Sequence, residues 1–149
     1  MFPNPPGLLR LEPYSETLRD RIWWGAGTNA TAQWAAKLAM NLQSSTLKID
    51  ESGKPFHVQQ AEQIRLYKAA WQEAGHARSP RVSVSRSIFE LTDDRDRMYF
   101  GRGAEEGDQI GFLDANSRAI FGRSYAVEPD VLIAQLKQDE AIAEADTLC

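Results

Sequence analysis

The segment Trp24-Gly25-Ala26-Gly27-Thr28-Asn29-Ala30-Thr31 decides the fold, because it joins a short apolar run to an amphipathic stretch. The apolar run before it, Arg21-Ile22-Trp23-Trp24, is typical of a short buried strand. After it, apolar side chains recur at every fourth position: Ala30, Trp34 and Leu38. This spacing predicts one face of a helix that begins near Asn29. A strand that is joined to a helix by such a turn forms a βα unit, and repeated βα units build parallel sheets.

Two further strand–helix units follow along the chain. Residues 41–47 predict a second strand, and residues 48–57 have the turn chemistry of a loop. The next stretch has apolar side chains at spacings of three or four: Val58, Ala61, Ile64, Tyr67, Trp71 and Ala74. This spacing predicts a long helix, and Gly75 stands where a helix C-cap is expected. Residues 81–91 alternate branched apolar residues with serines, which predicts a single strand.

The last third of the chain is less regular. Thr92 is expected to cap a short helix through residues 96–100, whereas residues 101–117 contain four glycines and predict a long mobile loop or a late Gly-rich insertion. A last helix is expected to begin at Pro129, and residues 146–149 resemble the start of a strand. Strands separated by helices predict an α/β fold with a parallel sheet. Two architectures fit: part of an eight-stranded (β/α)₈ barrel, or an open doubly wound sheet.

Composition restricts the class of protein. The 149 residues, with 42% apolar residues and a formal charge of −4, predict one domain over residues 1–149. The acidic balance argues against a nucleic-acid partner or an anionic membrane surface. No apolar run has the length of a membrane span, and residues 1–6 lack the pattern of a signal peptide, so a cytoplasmic protein is expected. The single Cys149 and two widely separated histidines predict no metal site.

The turn after the first strand carries the clearest chemistry. Gly25 and Gly27 allow close approach of the backbone to an anion, and the unpaired N–H groups of a helix N-terminus attract one. The hydroxyls of Thr28 and Thr31 are additional hydrogen-bond donors. The alternative is an ordinary turn in which Thr28 or Asn29 simply caps the helix.

The stretch from Arg21 to Ala36 resembles the phosphate-binding segment of bacterial luciferase-like, flavin-dependent monooxygenases. Four more segments resemble the same family in the same order: Pro55-Phe56, residues 71–76, residues 80–89 and residues 122–130. The resemblance covers nearly the whole chain, from about residue 8 to residue 148. It rests on the order and spacing of these segments rather than on one motif.

The resemblance implies the second half of a (β/α)₈ TIM barrel that binds reduced FMN, or the deazaflavin F420, and uses O₂ to oxygenate a small organic substrate. It places Thr28 and Thr31 at the flavin phosphate, with Gly25, Ala26 and Gly27 forming the tight turn. It assigns no catalytic residue. A flavin reductase is an implied partner, and a half-barrel with uncovered sheet edges is expected to form a homo-oligomer.

Four other residues are candidates for the site. Arg86 shares a strand face with Val82 and Val84, so it needs an anionic partner: the cofactor phosphate, a substrate, or a structural carboxylate such as Glu90. His57 is a candidate proton carrier or pocket wall. Arg102 and Arg123 are substrate or lid candidates. Residues 101–121, which contain Arg102, are expected to form a mobile lid, and the alternative is a plain solvated loop.

The tryptophans and the function each have a stated alternative. Trp23, Trp34 and Trp71 are expected in the core rather than against a flavin ring. For the function, one alternative is a catalytically inert half-barrel, either a truncated product or an assembly partner. The other is a module that binds phosphate ligands without redox chemistry.

Overall fold

The computed structural model describes residues 12–49, 52–103, 107–114 and 117–149. Its helices are α1 (Leu18–Arg21), α2 (Asn29–Lys37), α3 (Phe56–Glu73), α4 (Asp94–Phe100), α5 (Pro129–Gln138) and α6 (Glu140–Glu144). Its strands are β1 (Trp23–Ala26), β2 (Asn41–Ser44), β3 (Leu47–Ile49), β4 (Val82–Val84), β5 (Ile88–Glu90), β6 (Gln109–Asp114), β7 (Ser117–Phe121), β8 (Tyr125–Val127) and β9 (Thr147–Leu148). The chain therefore has a mixed α/β fold.

The main sheet has four parallel strands in the order β1-β2-β4-β9. Each strand lies beside the next one of the same sheet along the chain, so the sheet contains no reversal of strand order. Right-handed crossovers between such strands place the intervening helices on one face. The buried cluster agrees, because it joins β1, β2 and β4 to α2, α3 and α6 through residues such as Leu42, Ile64, Val82 and Ala141.

The two faces of the main sheet differ in chemistry. Leu42 pairs in register with Trp24 and Val82, and this set faces the helices. The neighbouring row faces the other way and is polar or small: Gly25, Gln43, Ser83 and Thr147. The hydroxyl of Ser83 donates to the side-chain oxygen of Gln43 across this row.

Helix α2 begins at Asn29 as predicted, but it turns a different face to the core. The residues Ala32, Ala35 and Ala36 are buried, and the stripe of Ala30, Trp34 and Leu38 is exposed. Small side chains let α2 approach the sheet and α3 closely, which outweighs the burial of a larger residue here.

The three tryptophans that are expected in the core differ in their exposure. The prediction that Trp34 lies in the core is wrong, because it is 46% exposed and packs edge-to-face on the exposed Trp24 with ring centroids 4.9 Å apart. Trp71 is buried as predicted, and Trp23 is half-buried.

The helices predicted after residue 57 are confirmed. α3 spans the predicted stretch, and Gly75 follows it with φ +71°, the left-handed conformation that glycine adopts at a helix end. α5 begins at Pro129, and α4 lies where a short helix was expected, although Asp93 rather than Thr92 caps it. The expected last helix is interrupted at Asp139, which is the N-cap of α6. The sequence predicts that Leu132, Leu136 and Ala143 face inward; in the structure Leu132 is buried, Leu136 is half-buried and Ala143 is exposed.

Three expectations about strands are wrong. Residues 81–91 form two strands in different sheets, because Arg86 leaves the main sheet to reach Asp139. The expected loop at 48–57 begins with β3 and ends with the first turn of α3. The expected irregular stretch contains β6 and β7, an antiparallel hairpin whose second strand also pairs with β3. β6 is almost wholly exposed, and the buried residues of β7, Ala119 and Ile120, are consecutive, so the side chains of the hairpin do not alternate clearly.

Two further strand pairings and one property of the helices complete the description of the fold. β5 and β8 form a separate parallel pair, which begins close to where β4 ends. The expected strand near the end of the chain is β9, which pairs with β4. No helix within the described ranges is both long enough and apolar enough to cross a membrane.

Candidate functional site

The predicted phosphate turn lies at the carboxyl end of β1, where the chain enters α2. Thr28 has extended dihedral angles and caps the helix, because its Oγ1 accepts the N–H of Thr31 at 3.2 Å. The hydroxyls of Thr28 and Thr31 are also hydrogen-bonded to each other at 2.8 Å. In such a pair one hydroxyl donates and the other keeps its hydrogen. The turn is thus a capped helix start that still has one hydroxyl donor for a ligand.

Two buried polar side chains, Gln63 and Ser44, support the turn on the side of α3. Gln63 of α3 donates through Nε2 to the carbonyl oxygens of Ala26 and Thr28, at 3.1 and 2.9 Å. Its own oxygen accepts the hydroxyl of Ser44 at 2.7 Å. These bonds direct the carbonyl groups of the turn toward α3. Within the described part of the chain, the N–H groups of Asn29 and Ala30 make no hydrogen bond, as is usual at a helix N-terminus.

The space beside the turn is open on the side of Gly25. A Cβ atom built at Gly25 would meet nothing within 4 Å, whereas one at Gly27 would lie 3.5 Å from the carbonyl oxygen of Leu47. Gly27 is also bonded to β3, because its carbonyl oxygen accepts the N–H of Ile49 at 3.0 Å. The protein itself therefore leaves room at Gly25 that a bound group can occupy.

Lys48 is a residue of this region that the sequence did not reveal. It is fully buried on β3, and its Nζ donates to Oδ1 of Asn29, the first residue of α2, at 3.1 Å. Residue 48 had been assigned to a loop, so nothing in the sequence brought a lysine to the helix N-terminus. Its position adds a cation to the first turn of α2.

A second region contains most of the other candidates. A cavity of about 250 Å³ lies among α3, the α5–α6 junction and the segments that follow β4 and β7. Its wall includes Phe56, His57, Arg86, Asp108, Arg123 and Asp139. The structure thus brings His57, Arg86 and Arg123 together. Arg102, Thr28 and Thr31 are not among the residues that line this cavity.

A buried ion pair forms one side of the cavity. Nε and Nη2 of Arg86 donate to the two carboxylate oxygens of Asp139, at 2.7 and 3.0 Å. The two side chains are 2% and 0% exposed. Among the alternatives for Arg86, the structure shows the structural carboxylate, and it is Asp139 rather than the expected example, Glu90. A contact of Arg86 with a cofactor phosphate stays a prediction.

Besides Arg86, the Asp139 carboxylate has hydrogen-bond partners on β8 and α6. It also accepts the hydroxyl of Tyr125 at 2.7 Å and caps α6 by accepting the N–H groups of Ala141 and Ile142, each at 3.0 Å. Burial acts to raise the pKa of the Asp139 carboxyl, but the hydrogen bonds and charge of Arg86 together with the hydrogen bonds from Tyr125 and Ile142 outweigh it, so the pKa lies below its ordinary value. Burial, assisted by the adjacent Asp139 carboxylate, raises the pKa of Tyr125 to about 12.

Asp108 joins the hairpin to the start of α3. Its Oδ2 accepts the N–H of Phe56 at 2.7 Å, and its Oδ1 accepts the backbone N–H of Arg123 at 3.2 Å. Pro55 cannot cap α3 with a side chain, so Asp108 supplies the missing acceptor from a distant segment. His57, in the first turn of α3, accepts the N–H of Glu140 at Nδ1, at 3.3 Å.

Asp108, Asp139 and Gln63 are structural partners that the sequence analysis missed. Each acts across at least 14 residues of chain, and no local spacing reveals such a contact. The one local signal was an aspartate two residues before Ala141, the spacing of an N-cap, inside what was expected to be a continuous helix.

Comparisons with known proteins do not assign a family. Neither the models of protein families nor the curated proteins give a match to this chain. In the ranges that the structure describes, no cluster of three or more His, Cys, Asp or Glu side chains is placed to hold a metal ion.

Proposed function

We propose that the chain forms the second half of a luciferase-like (β/α)₈ barrel and takes part in flavin-dependent oxygenation of a small organic substrate. The observation that carries the proposal is the β1–α2 turn, a helix N-terminus at the carboxyl end of a parallel strand. Its first N–H groups and one threonine hydroxyl hydrogen have no partner among the described residues. The turn is proposed to hold the phosphate of FMN, with F420 as the other flavin of this kind.

The order of the main sheet supports a barrel over the doubly wound alternative. A doubly wound sheet reverses its strand order at the point where ligands bind, and the four parallel strands here show no reversal. In a barrel, consecutive strands are neighbours and all helices lie outside. The polar row of Gln43 and Ser83 then belongs to the inner face, and the carboxyl ends of the strands form the side on which barrel enzymes place their sites.

The chemistry of the turn suits a phosphate group. The dipole of α2 and its first N–H groups attract an anion, and charge-assisted hydrogen bonds to phosphate are about twice as strong as neutral ones. Gly25 leaves the space, and Lys48 brings a cation to Asn29. Gln63 keeps the carbonyl oxygens of Ala26 and Thr28 occupied, so they do not repel the anion.

The proposal divides the work between the cofactor and the chain. Reduced flavin supplies the electrons for activating O₂. The residues of this chain bind the phosphate end and form one wall of the substrate space, and the β6–β7 hairpin is proposed as the lid that excludes water. A flavin reductase would supply reduced FMN. Because β1 and β9 each have one strand neighbour in the described sheet, a second chain is proposed to complete the barrel.

The proposal is tested by titrating the chain with oxidised and then anaerobically reduced FMN, followed by flavin fluorescence. Thr31→Val removes a hydroxyl and keeps the shape, and we expect it to weaken FMN binding about tenfold, the value of one hydrogen bond to a charged group. Thr28→Ser keeps the hydroxyl and should bind like the natural chain. Thr17→Val, at a helix start where the side chain makes no capping bond, is the matched control.

Three results would contradict the proposal. One is a folded chain that binds neither redox state of FMN. Another is a Thr31→Val variant with unchanged affinity. The third is equal affinity for FMN and inorganic phosphate, which would favour the module that binds phosphate ligands without redox chemistry.

A further inference from the structure

The charged side chains in the wall of the cavity near Asp139 differ in whether a counter-ion is in direct contact with them. Among the described residues, the wall contains two cations, Arg86 and Arg123, and two anions, Asp108 and Asp139. Arg86 and Asp139 neutralise each other through two short hydrogen bonds. Both carboxylate oxygens of Asp108 accept backbone N–H groups. One of these N–H groups, that of Phe56, lies at the positive end of the α3 dipole. Among the described residues, the guanidinium of Arg123 is therefore the cation of this wall that has no carboxylate in direct contact.

Among the described residues, the contacts that hold the Arg123 guanidinium include no carboxylate. Its Nη2 donates to the side-chain oxygen of Gln135 at 2.6 Å, and the guanidinium lies 5.0 Å from the centre of the Tyr125 ring. Its Nε is buried and, within the described ranges, has no hydrogen-bond partner. A half-buried cation with neutral neighbours on two sides is positioned for an anion that none of the described residues supplies by direct contact.

His57 adds a second donor to the same wall. Its Nδ1 accepts the N–H of Glu140, so the neutral ring carries its proton on Nε2. The ring is therefore fixed in the tautomer that donates from Nε2. Arg123 and His57 belong to segments 66 residues apart, yet both line this cavity.

The size of the cavity limits the ligand. The main space is about 250 Å³, and a smaller one of about 90 Å³ adjoins it through shared walls at Phe56, Arg86, Gly122 and Arg123. Gly122 is pressed against the ring of Phe56, because a Cβ atom there would lie 2.7 Å from a ring carbon. The aromatic ring is thus held as an apolar wall beside the guanidinium.

We propose that this cavity binds a small monocarboxylate with an apolar body, whose carboxylate is held by Arg123 and His57 and whose body lies against Phe56. A guanidinium is planar and matches a carboxylate through two parallel hydrogen bonds. A single guanidinium without a carboxylate in direct contact fits a ligand with one negative charge, whereas phosphate would bring nearly two. The ligand assigned here is distinct from the flavin phosphate, and the inference stands without the flavin proposal.

The test is calorimetric titration of the chain with benzoate, benzamide and inorganic phosphate. Benzoate and benzamide have almost the same shape and differ in charge, so we expect benzoate to bind at least tenfold more tightly. We expect phosphate to bind more weakly than benzoate. Equal affinity for benzoate and benzamide would overturn the proposal, and so would tighter binding of phosphate. This comparison uses the natural chain and does not depend on the folding of a variant.

Two variants then locate the site. Arg123→Gln should weaken benzoate binding at least tenfold and leave benzamide and FMN binding unchanged, which separates this cavity from the flavin turn. Arg118→Gln, an exposed arginine on β7, is the control and should have no effect on benzoate. If folded Arg123→Gln binds benzoate as the natural chain does, the carboxylate site is not at Arg123 and the proposal fails.

Discussion

The β1–α2 turn and the Asp139 cavity are built in opposite ways. Apart from the cation of Lys48, the turn uses neutral groups that are close in sequence: two glycines, two threonines and the N–H groups of one helix. The cavity uses charged groups from distant segments, joined by the pair of Arg86 and Asp139. A change in the turn should therefore affect a ligand more than the fold. A change around Asp139 should affect the fold first.

The largest effect is expected for Asp139→Asn. It leaves the guanidinium of Arg86 buried without its counter-charge, and such a loss destabilises proteins by about 3–5 kcal/mol. The free energy of unfolding should fall by this amount in urea denaturation. Glu90→Gln, on an exposed position of β5, is the matched control and should change the free energy by less than about 0.5 kcal/mol.

The same variant has a defined pH dependence. The pKa of the Asp139 carboxyl is lowered in the folded chain, so its stabilisation is complete above the unfolded pKa of about 4 and is lost as the pH falls through the folded value. The difference between the natural chain and Asp139→Asn should therefore shrink in acid. A difference that grows in acid, or that equals the effect of Glu90→Gln at neutral pH, would refute the structural role of the pair.

Tyr125→Phe should have the next largest effect. It removes a hydrogen bond to a buried carboxylate, which is worth about 1.5–3 kcal/mol. Because the pKa of Tyr125 is raised to about 12, the hydroxyl stabilises the fold below its unfolded pKa of about 10 and loses that effect as the pH rises through 12. Unfolding measured from pH 8 to 12 should show the natural chain approaching the variant. Parallel curves would contradict this account.

Gly122→Ala should destabilise the cavity wall by a smaller amount. The added methyl group meets the Phe56 ring at 2.7 and 2.9 Å, and overpacking of this kind costs about 1–3 kcal/mol. Gly107→Ala is the control, because a Cβ atom there meets nothing within 4 Å. Chemical denaturation of both variants checks the expectation. Equal stability of the two would show that Phe56 moves aside freely.

The smallest effect on stability is expected in the turn. Thr28→Ala removes the cap of α2 and should lower the free energy of unfolding by about 1 kcal/mol. Thr17→Ala, where no capping bond exists, should have almost no effect. Thermal unfolding of the two variants gives the comparison. A loss in Thr28→Ala as large as that in Asp139→Asn would remove the contrast between the two regions.

Local signals predicted the parts of the fold that depend on neighbouring residues. The helices at Asn29 and Pro129 and the glycine after α3 follow from caps and spacing along the chain. The turn at Gly25–Thr31 was found for the same reason. The face of α2 was not predicted correctly, because the tight approach of α3 selects its alanines over Trp34, and a single sequence does not show that distance.

The cavity depended on contacts that spacing does not encode. His57 and Arg123 were chosen as candidates, but nothing along the chain indicated that Asp108 would cap α3 or that Asp139 would pair with Arg86. The hairpin was missed because β6 and β7 pair with each other, and β7 with β3, through the backbone, and the exposed side chains of β6 carry little pattern. Arg102 stays a prediction without a contact to this cavity.

The most direct test of the proposed function compares FMN with riboflavin, which has the same ring and ribityl chain and lacks the phosphate. If the β1–α2 turn holds a flavin phosphate, the chain should bind FMN at least tenfold more tightly than riboflavin, and Thr31→Val should reduce that ratio while leaving riboflavin binding unchanged. Equal binding of FMN and riboflavin by the folded chain would contradict the claim that this turn is a flavin-phosphate site.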